Sequence, residues 1–137
     1  MASKELIDGL NQALNREVTT FLRYMLQAAA IKGAQWESVR AMYLAEVQDE
    51  VGHAQYLANS LRALGATPKL APVLEPPPED VRDMLAHDIE QERIDVKHYV
   101  ALSQQAEQAG LMSLKMKMEE QAADEESHAL QMERMLA

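Results

Sequence analysis

All five prolines of the chain, Pro68, Pro72, Pro76, Pro77 and Pro78, fall in one eleven-residue stretch. Proline removes a backbone donor and breaks a helix interior. Its confinement to one place leaves the residues on either side free to form long helices. Gly33, Gly65 and Gly110 sit where the apolar periodicity lapses, and a glycine just past the last periodic residue stops a helix. Four proline-free segments result, about 4–32, 36–64, 79–108 and 112–136. Ala, Leu, Met, Glu, Gln, Lys and Arg dominate them, and these residues favour helix. With one Phe, one Trp and few β-branched residues, strands are not expected.

Apolar residues within each segment recur at steps of three and four, which places them on one helical face. Leu10, Leu14, Phe21, Tyr24 and Ala28 mark the first segment, and Val39, Tyr43, Leu57, Leu61 and Leu64 the second. Val81, Leu85, Val96, Tyr99, Leu102 and Ala106 mark the third, and Leu114, Met118, Met132 and Met135 the fourth. Four such helices make a four-helix bundle in a single domain spanning 1–137. Short connections make segments one and two, and three and four, antiparallel hairpins. Between the hairpins, residues 65–78 extend to about 46 Å, and a 29-residue helix is about 44 Å long. The proline-rich linker is therefore expected to cross the length of the bundle and start helix three parallel to helix two.

Each helix also carries ionisable residues on its inward face. They are Glu17 on the first, Glu50 and His53 on the second, Glu92 on the third, and Glu125 and His128 on the fourth. Unpaired carboxylates in a core cost several kcal/mol each, so six ionisable groups at one level require compensating charge. Divalent cations supply it. Glu17 to Glu50 spans 33 residues, as does Glu92 to Glu125, and each second member opens a Glu-x-x-His motif. That offset puts carboxylate and imidazole one turn apart on one face. An aspartate precedes each motif, Asp49 and Asp124, and such a group accepts the second ring N–H of a ligating histidine. The halves are related by an offset of 75, which also maps Tyr24 onto Tyr99. Each tyrosine lies two turns beyond a glutamate and is expected to donate to a carboxylate of another helix. Glu46, Asp88 and Glu90 read as boundary residues. Met118, Met132 and Met135 read as core filling, Met25, Met42 and Met112 as interface residues, and Trp36, at the start of helix two, as an anchor or a subunit contact.

Composition limits the partners. The formal net charge of −9 disfavours nucleic acid, and the absence of cysteine excludes disulfides, thiolate metal sites and cysteine nucleophiles. No apolar run approaches the roughly 20 residues of a membrane span, and MASKELIDGL has no apolar signal core, so a soluble cytoplasmic protein is expected.

From about Leu6 to Leu136 the chain resembles the ferritin-like di-iron carboxylate proteins, and among them bacterioferritin. The resemblance rests on the two Asp-Glu-x-x-His motifs, the two single glutamates and the Val81-x-x-Met84-Leu85 start of helix three. It implies an all-α ferritin-like bundle with two iron ions per chain. Glu50 and Glu125 would bridge them, Glu17 and His53 would complete one position, and Glu92 and His128 the other. Manganese or zinc also suits these ligands. It implies a ferroxidase that oxidises Fe(II) with dioxygen or hydrogen peroxide for iron storage or detoxification, in a homo-oligomer at least dimeric. Two departures stand out. Val51 occupies the place of the haem-binding Met, so haem is not expected, and no fifth helix follows Ala137, which disfavours the 24-subunit shell. Tyr99 resembles rubrerythrin, which leaves a peroxide reductase as an alternative beside a non-catalytic iron-binding bundle.

Overall fold

The computed structural model describes residues 2–137. Four α-helices, α1 (Lys4–Ala30), α2 (Glu37–Ala63), α3 (Val81–Gln108) and α4 (Met112–Leu136), form an all-α bundle without strands among the described residues. Ser3 caps α1 by accepting from the Leu6 N–H, and Asp80 caps α3 by accepting from the Asp83 N–H. One 3-10 turn, Ala34–Trp36, precedes α2, so the helix begins one residue after Trp36. Trp36 is partly buried and packs on the neighbouring core.

The helices pair as two hairpins, α1 with α2 and α3 with α4, and the contacts between hairpins are far sparser. The linker crosses along α1 and links the two. Asn11 Oδ1 accepts from the Lys69 N–H at 2.8 Å. Asn15 donates to the Lys69 carbonyl at 2.8 Å and accepts from the Ala71 N–H at 2.5 Å. Residues Val73 to Pro78 then run beside Leu22, Met25 and Leu26. A long crossover results, with α3 parallel to α2. Two asparagine side chains on α1 thus replace the backbone partners that a proline-rich strand cannot find in itself.

The interior is two apolar clusters separated by a polar layer. Leu6, Leu10, Leu14, Leu57, Leu61, Leu102, Leu114 and Met118 fill one end. Tyr24, Ile31, Val39, Met42, Tyr43, Met84, Leu85 and Met132 fill the other. Met42 is therefore core; the interface role expected for it does not hold, because its side chain is buried in this second cluster. Met25 and Met112 are exposed. No helix is long and apolar enough to cross a membrane among the described residues.

Two helix ends rest on glycine. At Gly65 (φ 79°) the Ala66 N–H reaches back to the Leu61 carbonyl at 2.9 Å, and at Gly110 (φ 73°) the Leu111 N–H reaches Ala106 at 2.9 Å. This is the glycine stop motif, in which the left-handed residue recovers carbonyls that the helix end leaves unpaired. Gly52, by contrast, lies inside α2, and a Cβ there would meet nothing within 4 Å. Gly65→Ala and Gly110→Ala should each lose about 1 kcal/mol, and Gly52→Ala should gain about 0.5–1 kcal/mol. Equilibrium denaturation of the metal-free variants checks both signs.

Candidate metal centre

The helical phase of α1 to α4 brings six side chains into one layer. Glu17, Glu50, His53 and Glu125 each offer a ligand atom, and these atoms lie within 4.8 Å of one another. Glu50, Glu92, Glu125 and His128 form a second such group. Glu50 and Glu125 belong to both. The Nδ1 of His53 faces Glu125 at 3.0 Å and Glu17 at 3.6 Å. The Nδ1 of His128 faces Glu50 at 3.3 Å and Glu92 at 3.6 Å. All four glutamates are at most 1% exposed.

The outer ring nitrogens are paired crosswise. His53 Nε2 meets Asp124 at 2.9 Å, and His128 Nε2 meets Asp49 at 3.1 Å. Each aspartate thus serves the histidine of the opposite helix. An Nε2–H donated to carboxylate leaves Nδ1 as the acceptor facing the layer, the tautomer that metal ligation requires. The tyrosines cross in the same manner. Tyr24 on α1 donates to Glu92 on α3, and Tyr99 on α3 donates to Glu17 on α1 at 2.5 Å.

Both carboxylate oxygens of Glu50 and of Glu125, one each of Glu17 and Glu92, and both Nδ1 atoms have no hydrogen-bond partner. Native interiors rarely leave such groups unpaired. Six carboxylate oxygens and two imidazole Nδ1 atoms without a partner in one layer fit a pair of cations, which would displace the protons that the metal-free site holds.

The ferritin-like domain family matches residues 7–137. The chain belongs to that family. A ferritin-like, diiron-carboxylate protein from Bacillus anthracis superposes with a TM-score of 0.93 at 35% identity, covering 98% of this chain and 96% of that one. BfrA from M. tuberculosis superposes with a TM-score of 0.87 at 20% identity, covering 98% of this chain and 84% of that one, and shows the shared fold. No curated protein matches the sequence.

Electrostatics in this ferritin-like layer follow from its dryness. Burial and the nearby Glu17 push Glu50 well above the usual carboxylate range, and burial with Glu17 and Glu50 does the same to Glu125. Burial also opposes ionisation of Glu92, but Glu125, His128 and the Tyr24 hydroxyl together hold it below its ordinary value. Burial disfavours a charged His128, yet Glu50 and Glu92 raise it to about 12. His53 is raised too, with Glu17 outweighing burial. The two phenols are raised well above theirs by burial and by their carboxylate acceptors.

Several buried polar residues depart from the sequence reading. Asp88 and Glu46 are not boundary residues: they are 0% and 3% exposed. Asp88 accepts from Arg23 at 2.8 Å, Gln27 at 2.7 Å and Tyr43 at 2.7 Å, so a full set of donors compensates its burial. Glu46 has no partner for either oxygen, and the same holds for both polar atoms of Gln121. Arg16 and Asp95 form a further ion pair at 2.5 Å. Glu46, Asp88 and Gln121 each stand one turn before a layer glutamate, a spacing that does carry the inward phase. Glu90 is exposed, and so is Val51 on the outside of α2.

Burial raises Glu46 to about 8 and Asp95 to about 7, the latter against the pull of Arg16. In the unfolded chain these groups release their protons near pH 4. The stability they confer is complete below about pH 4 and is lost as pH rises towards about 8. With chelator present, melting temperature should fall between about pH 5 and about pH 8, and Glu46→Gln should flatten that slope. An unchanged slope in the variant would remove Glu46 as its source.

Proposed function

We propose that this chain is a di-iron ferroxidase of the bacterioferritin type. The observation that carries the reading is the pair of four-residue ligand groups overlapping in Glu50 and Glu125. Such overlap suits two cations held by shared carboxylates. In this reading Glu17 and His53 complete one position, and Glu92 and His128 the other. Fe(II) is the substrate. Two ferrous ions give up one electron each, and dioxygen with two protons becomes hydrogen peroxide, or peroxide with two protons becomes two waters. Four carboxylates match the charge of two ferrous ions and stabilise the more highly charged ferric product. Asp49 and Asp124 hold the imidazoles in the ligating tautomer. Tyr24 and Tyr99 orient the terminal carboxylates, and the apolar clusters at either end keep bulk water from the layer. Exposed Met25, Leu26, Leu44 and Val51 on the outer faces of α1 and α2 suit burial against a second copy, in line with a homo-oligomer.

A peroxide reductase is the second reading, and the bond from Tyr99 to Glu17 favours it, since a pair of tyrosines flanking the layer is the feature this chain shares with rubrerythrin. Stopped-flow oxidation of Fe(II) separates the two: a strong preference for dioxygen supports the ferroxidase, and a strong preference for peroxide supports the reductase. Glu17→Ala and Glu92→Ala should each slow oxidation by about a hundredfold or more, and Tyr24→Phe should slow it by about tenfold while metal binding persists. Wild-type rates in both alanine variants would overturn the reading.

A further inference from the structure

The two halves of the layer carry like groups. Around His128 stand Glu92, its donor Tyr24, the partner Asp49 and the ion pair of Arg23 with Asp88 at 2.8 Å. Around His53 stand Glu17, its donor Tyr99, the partner Asp124 and the ion pair of Arg16 with Asp95 at 2.5 Å. Each arginine cancels its aspartate. Glu50 and Glu125 are common to both. The repeat fails at several buried positions, since Gln27, Tyr43 and Asp88 fall opposite Leu102, Met118 and Ala13, but at one position both members are polar and unpartnered. The 75-residue repeat carries Glu46 onto Gln121. Both side chains are buried, at 3% and 0% exposure, and every polar atom of both is unpartnered. Glu46 stands one turn before Asp49, which meets His128 Nε2 at 3.1 Å, so its carboxylate lies on the His128 side of the layer. Gln121 stands one turn before Asp124, which meets His53 Nε2 at 2.9 Å, and so holds the corresponding place in the other half.

We propose that Glu46 makes the two metal positions unequal, so that a divalent cation fills the His128 position before the His53 position. The proposal rests on the di-metal reading of the layer. Glu46 lies outside the ligand groups, so it acts as a charge next to the His128 position and not as one of its defining ligands. Without a metal, Glu46 answers its burial by keeping its proton; a divalent cation brought close displaces that proton and takes the carboxylate's charge as its compensation. The amide of Gln121 is isosteric and carries no charge, so it offers the opposite half a dipole only. An added negative charge beside a dry divalent site is worth on the order of tenfold or more in affinity at the dielectric typical of proteins. Two cations at adjacent positions repel each other whatever the site's symmetry. Stepwise binding alone therefore does not reveal a preference; the location of the first ion does.

The experiment crystallises the protein with one cobalt(II) per chain and measures the occupancy of each position by anomalous scattering. Wild type should show occupancy at the His128 position several-fold above that at the His53 position. Glu46→Gln keeps the volume and removes the charge, and should bring the two occupancies close to equal. The exchanged variant, Glu46→Gln with Gln121→Glu, should reverse the preference. A role for Glu46 in packing alone would not produce that reversal. Equal occupancies in wild type, a preference that survives Glu46→Gln, or an exchanged variant that still favours the His128 position each overturn the proposal. Cobalt at neither position in wild type would overturn the di-metal reading itself, a failure distinct from the others.

Discussion

Everything in this bundle is arranged around the cost of keeping four carboxylates in one dry layer. Glu17, Glu50, Glu92 and Glu125 are at most 1% exposed and come from four different helices. Water is denied them by apolar packing above and below. The fold answers part of the cost with its own groups: one phenol for each terminal glutamate, and two imidazoles raised towards their charged forms. The rest is left open. The unpaired lone pairs that remain are a structural deficit, and metal ions resolve it on chemical grounds. Stability and function therefore compete in this layer, as they do wherever a site is built before its ligand arrives.

The all-α fold was legible because the punctuation is so uneven. A single proline-rich stretch and three glycines at lapses of the periodicity leave little room for other arrangements, although only Gly65 and Gly110 end a helix and α1 stops at Ala30, before Gly33. The six layer residues were legible for a related reason: the same spacing occurs twice, and chance rarely repeats a spacing of ionisable residues on core faces. The direction of the histidine–aspartate pairs was not legible. Sequence adjacency brings Asp49 next to Glu50 and Asp124 next to Glu125, and only the crossing of α2 and α4 shows that each aspartate faces the other helix's imidazole.

Asp88 and Glu46 were misplaced because a charged residue at the edge of an inward stripe has two readings. Whether it turns to solvent or stays inside depends on partners that lie far away in sequence. Asp88 stays inside because Arg23, Gln27 and Tyr43 converge on it from α1 and α2. Asn11 and Asn15 escaped notice for a similar reason. Their role is to hold the crossover strand, and nothing local to α1 announces it.

The hairpins touch each other sparingly, while within each hairpin the helices pack closely. Neither hairpin owns a complete ligand group: the one completed by His53 needs Glu125 from the second hairpin, and the one completed by His128 needs Glu50 from the first. A cation held there is a cross-link between two halves that otherwise meet through the shared apolar clusters, the crossed side-chain bonds, two Arg–Asp pairs and one proline-rich strap. The loaded protein is in this sense stapled through its middle. Without the metal that cross-link is lost, and the hairpins are held by their apolar contacts and side-chain bonds alone.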